Sequence, residues 1–171
     1  MGSGKGTAAR FLSKKYGYKI INMGNIVRAL ARRNGVKPTR SNLEKLQVKY
    51  RGKYGRDFVI GKAIEKALAS KKPVILDGIR KPVQAKLAKK VLKAKIILVD
   101  ARPEVRFQRL KNRRRKSGYE KTFDDFKKME KQERKFFKMD KTFKYADYKL
   151  DNSKDARHLE RQLRALIKKL K

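Results

Sequence analysis

Gly2-Ser3-Gly4-Lys5-Gly6-Thr7 (GSGKGT) stands at the head of the chain, directly before Ala8, Phe11, Leu12 and Tyr16, apolar residues at helical spacing that stop at Gly17. Glycines at these places let backbone amides turn inward and approach phosphate oxygens closely, because no Cβ stands in the way. The helix that follows aims its first amides, and the positive end of its dipole, at the same point. A lysine among those amides reaches the outer phosphates of a nucleotide, and a hydroxyl just after it sits near magnesium. The hexamer therefore reads as a phosphate-binding loop. The competing reading is a flexible Gly/Ser terminus, and the abutting helix argues against it.

Outward from the loop, strands and helices alternate. YKIIN (18–22) reads as a short strand, followed by a helix over about 25–33 that ends at Asn34-Gly35. Ser41 and Glu44 have capping-box spacing for a helix reaching about Lys53, and a further helix spans about 57–69. PVIL (73–76) is a buried-type strand ending in Asp77-Gly78. Pro82 opens a helix whose inward face is expected at Val83, Leu87 and Val91. AKIILV (94–99) is the next strand, ending at Asp100, and Pro103 opens the helix after it. The basic stretch 113–121 reads as a loop, and Thr122 with Asp125 caps a helix to about Lys138. A short strand at 146–150 precedes a closing helix lined by Leu159, Leu163, Leu166, Ile167 and Leu170. The alternation predicts an α/β fold, a parallel sheet covered by helices on both faces, in one domain over 1–171.

Composition narrows the function classes. Hydrophobic residues make up 39% of 171, enough for a folded core, and there is no cysteine, which excludes disulfides and thiolate metal sites and agrees with a cytoplasmic address. No apolar run is long enough to span a membrane. Fifty-one Lys+Arg against sixteen Asp+Glu give a net charge of +35. Such a field attracts polyanions, so nonspecific nucleic-acid binding is expected. The cations are spread from Lys5 to Lys171 rather than gathered in a stripe, which argues for a solvated basic surface over a dedicated nucleic-acid face.

Four motifs in order carry a resemblance to the P-loop nucleoside monophosphate kinases. GSGKGT is the adenylate-kinase spelling of the Walker A loop. GNIVR (24–28) resembles that family's Gly-Asp-x-x-Arg, with Asn25 at the aspartate position. LDGIR (76–80) resembles its strand-end Asp-Gly-Phe-Pro-Arg, one residue shorter, and RLKNRR (109–114) resembles the segment leading into the lid. The shorter DGIR, the stretch 38–43 and the helix 122–134 are closer to a branch grouping with dephospho-CoA-kinase-like and deoxynucleotide-kinase-like proteins.

The resemblance implies a three-layer P-loop kinase fold, ATP and Mg2+ as cofactors, and a small-molecule phosphate acceptor. Gly2, Ser3, Gly4, Lys5, Gly6 and Thr7 would hold ATP, and Thr7 and Asp77 the metal. Gly24, Arg28, Arg80 and Arg134 would bind the acceptor, in part from acceptor-binding helices over about 25–70. Lys5, Asp77, Arg109 and Arg113 would act on the transferring phosphate, the last from a lid at about 113–138. Planar guanidinium groups suit that task, because phosphoryl transfer between anions needs positioning and positive charge more than covalent chemistry. Expected activity is transfer of the ATP γ-phosphate to a nucleoside or deoxynucleoside monophosphate. Two rivals remain: a dephospho-CoA kinase, with Asp77 as base toward a hydroxyl, and a basic RNA- or ribosome-associated P-loop ATPase. His158 reads as a surface or boundary residue. Phe136, Phe137, Phe143 and Tyr145 read as core or lid packing.

A full phosphate loop opens with a glycine six residues before its lysine, and in the resembled fold a hydrophobic strand precedes it. Met1 stands four before Lys5. In that fold the preceding strand lies mid-sheet, between the strands ending at Asp77 and Asp100. The expectation is therefore a sheet lacking its first central strand, in a chain that starts partway into the loop.

Overall fold

The computed structural model describes residues 1–55, 58–112 and 122–170. Among them are four strands and nine helices in alternation: α1 (Lys5–Tyr16), β1 (Lys19–Asn22), α2 (Met23–Arg33), α3 (Arg40–Tyr54), α4 (Phe58–Leu68), β2 (Val74–Asp77), α5 (Pro82–Leu92), β3 (Ile97–Asp100), α6 (Pro103–Lys111), α7 (Phe123–Phe137), α8 (Met139–Phe143), β4 (Tyr148–Asp151) and α9 (Ala156–Leu170). The strands pair in parallel, as the alternation predicts, but in two separate pairs. β1 lies beside β2 with Lys19 opposite Val74 and Asn22 opposite Asp77, and β3 lies beside β4 with Ile97 opposite Tyr148 and Asp100 opposite Asp151. β2 and β3 are not bonded to each other.

Each pair has its own core. Ala8 and Leu12 of α1 pack with Val99, Leu150 and the α9 face Leu159, Leu163, Leu166 and Ile167. Ile21, Met23, Val27, Val59, Ile60, Ala63 and Ala88 form the second cluster, under β1 and β2. The i, i+4, i+7 spacing of the leucines on α9 puts them on one face of the helix, and burying that stripe is what holds it in place.

Local readings were met or moved for identifiable reasons. Thr122 and Asp125 form the expected capping box of α7. The α3 cap is Thr39, whose hydroxyl accepts from the Asn42 amide at 3.3 Å, so the helix starts ahead of Ser41. Pro38 favours an extended residue before it and a turn into the helix after it. The fully buried residues of α5 are Gln84, Ala85 and Ala88; of the expected inward residues, Leu87 packs half-buried against the second core, while Val91 is exposed. Alanines let α5 approach its neighbours closely, and the Gln84 Oε1 accepts from the Arg80 and Lys81 amides at 2.9 and 3.1 Å, which fixes the helix rotation. Helix α8 was not anticipated. Among the described residues no helix is long and apolar enough to cross a membrane.

Candidate active site

The phosphate loop is shaped by two left-handed glycines. Gly2 (φ 69°) and Gly4 (φ 94°) adopt a conformation that other residues rarely tolerate. Space enforces the same choice: a Cβ on Gly2 would stand 2.6 Å from the Arg106 carbonyl oxygen, and one on Gly4 would stand 2.0 Å from Asn152 Nδ2. The Ser3 residue is buried, and its carbonyl accepts from Asn152 Nδ2 at 2.8 Å. Thr7 and Ala8 donate backbone hydrogen bonds to the Gly4 carbonyl at 2.9 and 3.0 Å, opening α1. The first turn of α1 carries no acidic residue, so nothing on it opposes an anion at the positive end of the helix dipole. Arg10 donates to the Thr7 hydroxyl at 3.3 Å.

At the carboxyl ends of β1 and β2 a second cluster forms. Asn22 Nδ2 donates to Asp77 Oδ2 at 2.7 Å, across strands that are directly in register. The Asn22 Oδ1 accepts from the Asn25 amide at 3.0 Å, capping α2, and from the Arg28 guanidinium at 3.3 Å. Arg28 also bonds the Asn25 side chain. Gly24 leaves room for this cluster, since a Cβ there would lie 3.1 Å from both Asn22 Oδ1 and Arg28 Nη1. Asp77, Asn25 and Arg28 are thus one hydrogen-bonded unit, with Asn22 as its hub and Gly24 leaving room for it.

The remaining arginines are held from α7 and the β4–α9 loop. Arg80 is ion-paired with Glu133, which is 4% exposed, and lies over the Phe137 ring at 5.2 Å from its centroid. The Thr142 hydroxyl donates to the Arg80 carbonyl at 2.7 Å. Arg106 is ion-paired with Glu130 and donates from Nε to the Ala101 carbonyl at 2.7 Å. Burial, more than any neighbouring charge, lowers the affinity of the Arg106 guanidinium for its proton. Arg109 donates to the Asn152 and Lys154 carbonyls at 2.7 and 2.9 Å. Arg134 pairs with Asp140 at 2.5 Å and lies over Phe143. Arg113 falls outside the described residues.

One cavity of about 990 Å³ reaches Ser3, Lys5, Asp77, Arg80 and Arg134, together with Arg106, Glu130 and Glu133. Its polar end lies at the carboxyl ends of the strands. Gly24, Arg28 and Arg109 do not line it. Sequence reasoning did not select Asn22, Asn152, Arg106, Glu130 or Glu133. Asn22 was legible as the last residue of YKIIN, at the helix-capping position before GNIVR. The others depend on contacts between distant elements. Among the described residues no group of three or more His, Cys, Asp or Glu is placed to hold a metal ion by itself.

Comparison with known proteins gives this geometry a family. The family model described as AAA domain matches residues 1–127. A UPF0200 protein from Hyperthermus butylicus is 30% identical over 170 residues, covering 99% of this chain and 90% of its own length. The chain belongs to both families. Another UPF0200 protein, from Pyrococcus abyssi, is 27% identical over 99% of this chain and 92% of its own. Among solved structures, shikimate kinase from Bacteroides thetaiotaomicron superposes with a TM-score of 0.69 at 18% identity, covering 99% of this chain and 93% of that one. Deoxyadenosine kinase from M. mycoides, with bound dCTP, superposes at 0.54 and 17% identity, covering 99% and 94%. This UPF0200 chain therefore has the P-loop kinase fold, with a small parallel sheet among many helices.

Proposed function

We propose that this protein is an ATP-dependent phosphotransferase that moves the γ-phosphate to a small phosphate-bearing acceptor, a nucleoside or deoxynucleoside monophosphate. The observation that carries the reading is the single cavity joining Lys5 and the loop to Asp77, Arg80 and Arg134. Phosphoryl transfer needs donor and acceptor phosphates side by side in a positively lined, closable space.

The two loop glycines hold left-handed backbone packed against the Arg106 carbonyl and the Asn152 side chain, the loop shape a triphosphate needs. Lys5 and the first amides of α1 bind and orient the outer phosphates. Magnesium, held by Thr7 and Asp77, would supply charge neutralisation on the phosphates. Arg80 exchanges its Glu133 partner for the acceptor phosphate, and Arg28 sits with Asp77 through Asn22 to steer the acceptor toward the same end of the sheet. A phosphate acceptor is already an anion at neutral pH, so its attacking oxygen needs no base. A hydroxyl acceptor would need one, with Asp77 nearest the required place. Arg134, on α7, would help exclude water as the site closes.

The test is ATP consumption by purified protein against nucleoside monophosphates, with dephospho-CoA and shikimate as hydroxyl acceptors. Turnover with a monophosphate that disappears in Lys5→Ala is the expected result. Turnover with hydroxyl acceptors alone, or with none of these, overturns the reading.

A further inference from the structure

Arg106 and Glu130 form an ion pair that the reaction assigned above leaves unused, with side chains only 9% and 14% exposed. The sequence directs attention to a different arginine of α6. Yet the Arg109 guanidinium is occupied by the Asn152 and Lys154 carbonyls, and the residue does not line the cavity. Arg106, one turn earlier, does line it, together with Ser3, Lys5 and Arg80. An ion pair this buried returns little net stability, and an apolar pair of similar volume would pack as well. What the apolar pair would lack is a cation already stripped of water and held in one orientation. A site where phosphate charge is redistributed needs such a cation.

Three anchors fix the Arg106 side chain. Its Nε donates to the carbonyl of Ala101, just past the end of β3, at 2.7 Å, and its Nη1 bonds Glu130 on α7. The guanidinium carbon lies 5.6 Å from the ring centroid of Phe126, which is fully buried one turn ahead of Glu130. The remaining nitrogen, Nη2, has no hydrogen-bond partner among the described residues. The main chain of the same residue is tied to the phosphate loop, since the Arg106 carbonyl oxygen is what a Cβ on Gly2 would strike at 2.6 Å. One residue thus abuts the loop with its backbone and keeps one donor of its guanidinium uncommitted.

We propose that Arg106 contacts the terminal phosphate of bound ATP through Nη2, and that Glu130 is the residue that positions it. The inference rests on the use of ATP proposed above and adds the group that tells a triphosphate from a diphosphate. Lys5 and the loop amides grip either nucleotide, whereas the Arg106 contact exists only when the third phosphate is present. In the transfer, the bond from that phosphorus to the bridging oxygen breaks and its electron pair leaves with ADP. The acceptor oxygen forms the new bond, and Arg106 stays beside the moving group throughout.

Calorimetric titration with ATP and with ADP, in magnesium and without acceptor, tests the assignment. The key variant is Arg106→Met/Glu130→Leu, which removes both charges together and leaves no buried carboxylate unpaired, so its urea midpoint should stay near the parent's. Its ATP affinity should fall about tenfold, the scale of one charge-assisted hydrogen bond, while its ADP affinity holds within about twofold. Glu130→Ala should lose the same preference, and Glu130→Gln, which still accepts from Arg106, should restore most of it. An unchanged ATP-to-ADP ratio in the double variant overturns the proposal. So does an equal fall for both nucleotides, which would make the pair a support of the loop alone. A parent that prefers ATP through Arg106 yet turns over no monophosphate would sink the acceptor reading and uphold this one. Turnover of a monophosphate with the ratio unchanged in the double variant would do the reverse, and a parent that binds neither nucleotide overturns both.

Discussion

Asn152, at the end of β4, donates its side-chain amide to the carbonyl of Ser3 at 2.8 Å, joining residues 149 apart in the chain. Its Nδ2 also occupies the point where a Cβ on Gly4 would fall. The phosphate loop is thus shaped from outside by one buried carboxamide. Asn152→Ala leaves a buried carbonyl unpaired and should cost about 1–3 kcal/mol of stability, with ATP affinity falling about tenfold as the loop relaxes. Gly4→Ala should be more harmful with Asn152 present than in the Asn152→Ala background. A double-mutant cycle on urea stability reads that coupling, and additive effects would show that Asn152 does not shape the loop.

Asn22 both caps α2 and ties Asp77 to Arg28. Loss of the cap in Asn22→Ala should lower stability by about 0.5–2 kcal/mol. Under the proposed reaction, the KM for the acceptor should rise with little change in the KM for ATP. Asn22→Asp keeps the cap but sets a second carboxylate against Asp77. It should therefore retain the stability of α2 while still impairing acceptor binding. Equal loss of both KM values would argue against an acceptor role for this cluster.

The Arg80–Glu133 pair is asymmetric: the arginine is 40% exposed, and the glutamate 4%. Removing the buried group's partner is the costlier change, because a carboxylate is left without its counter-charge away from water. Arg80→Ala should destabilise by about 2–4 kcal/mol. Glu133→Ala should cost no more than about 1 kcal/mol, since Arg80 can turn toward solvent. Chemical denaturation of the two variants checks the order, and the reverse order would show that Arg80 carries no share of Glu133's stabilisation.

How far the sequence went follows from the range of each signal. GSGKGT, the strand-end Asp77 and the α9 leucine stripe are local patterns, readable because loop shape and helix amphipathicity are set within a few residues. Parallel pairing was readable because helices separate the strands. The rotation of α5 was only partly readable: Leu87 does pack against the core, but Ala85 and Ala88 are buried deeper by allowing close approach, and Val91 is left exposed. Glu130 and Glu133 look like ordinary charges on a basic helix. Only the packing of α7 against the cavity turns them inward to meet Arg106 and Arg80. Asn152 carries no local signal at all, because its partner is at the opposite end of the chain.

Asp147 fastens the start of β4 to β3. It accepts from the Ile96 amide at 2.7 Å and from Lys89 at 2.8 Å. Burial by itself would raise its pKa, but the Ile96 amide and the Lys89 ammonium together hold it below the ordinary value of 3.8. A carboxylate with a depressed folded pKa stabilises the fold above its unfolded pKa, and that contribution is lost as pH falls through the folded value. Asp147→Asn should therefore be less stable than the parent at pH 7, and the gap should narrow below about pH 4. Denaturant midpoints at pH 7 and pH 3 test this. A gap that stays constant would mean that the ionised form contributes nothing to the β3–β4 junction.

The net charge of +35 predicts contact with any polyanion, whatever the reaction. Cations spread over the whole chain bind phosphates by counterion release rather than by reading bases, so affinity should fall steeply with salt. A labelled single-stranded RNA should bind at 50 mM salt and lose at least about a hundredfold in affinity by 200 mM. Sequence should matter little, and ATP turnover should be indifferent to the RNA at either salt. An RNA complex that survives 200 mM salt and accelerates ATP hydrolysis would favour the RNA-associated ATPase instead. In that case Arg28 and Arg80 would lose their assignment to a small acceptor, while Lys5 and the loop would keep theirs.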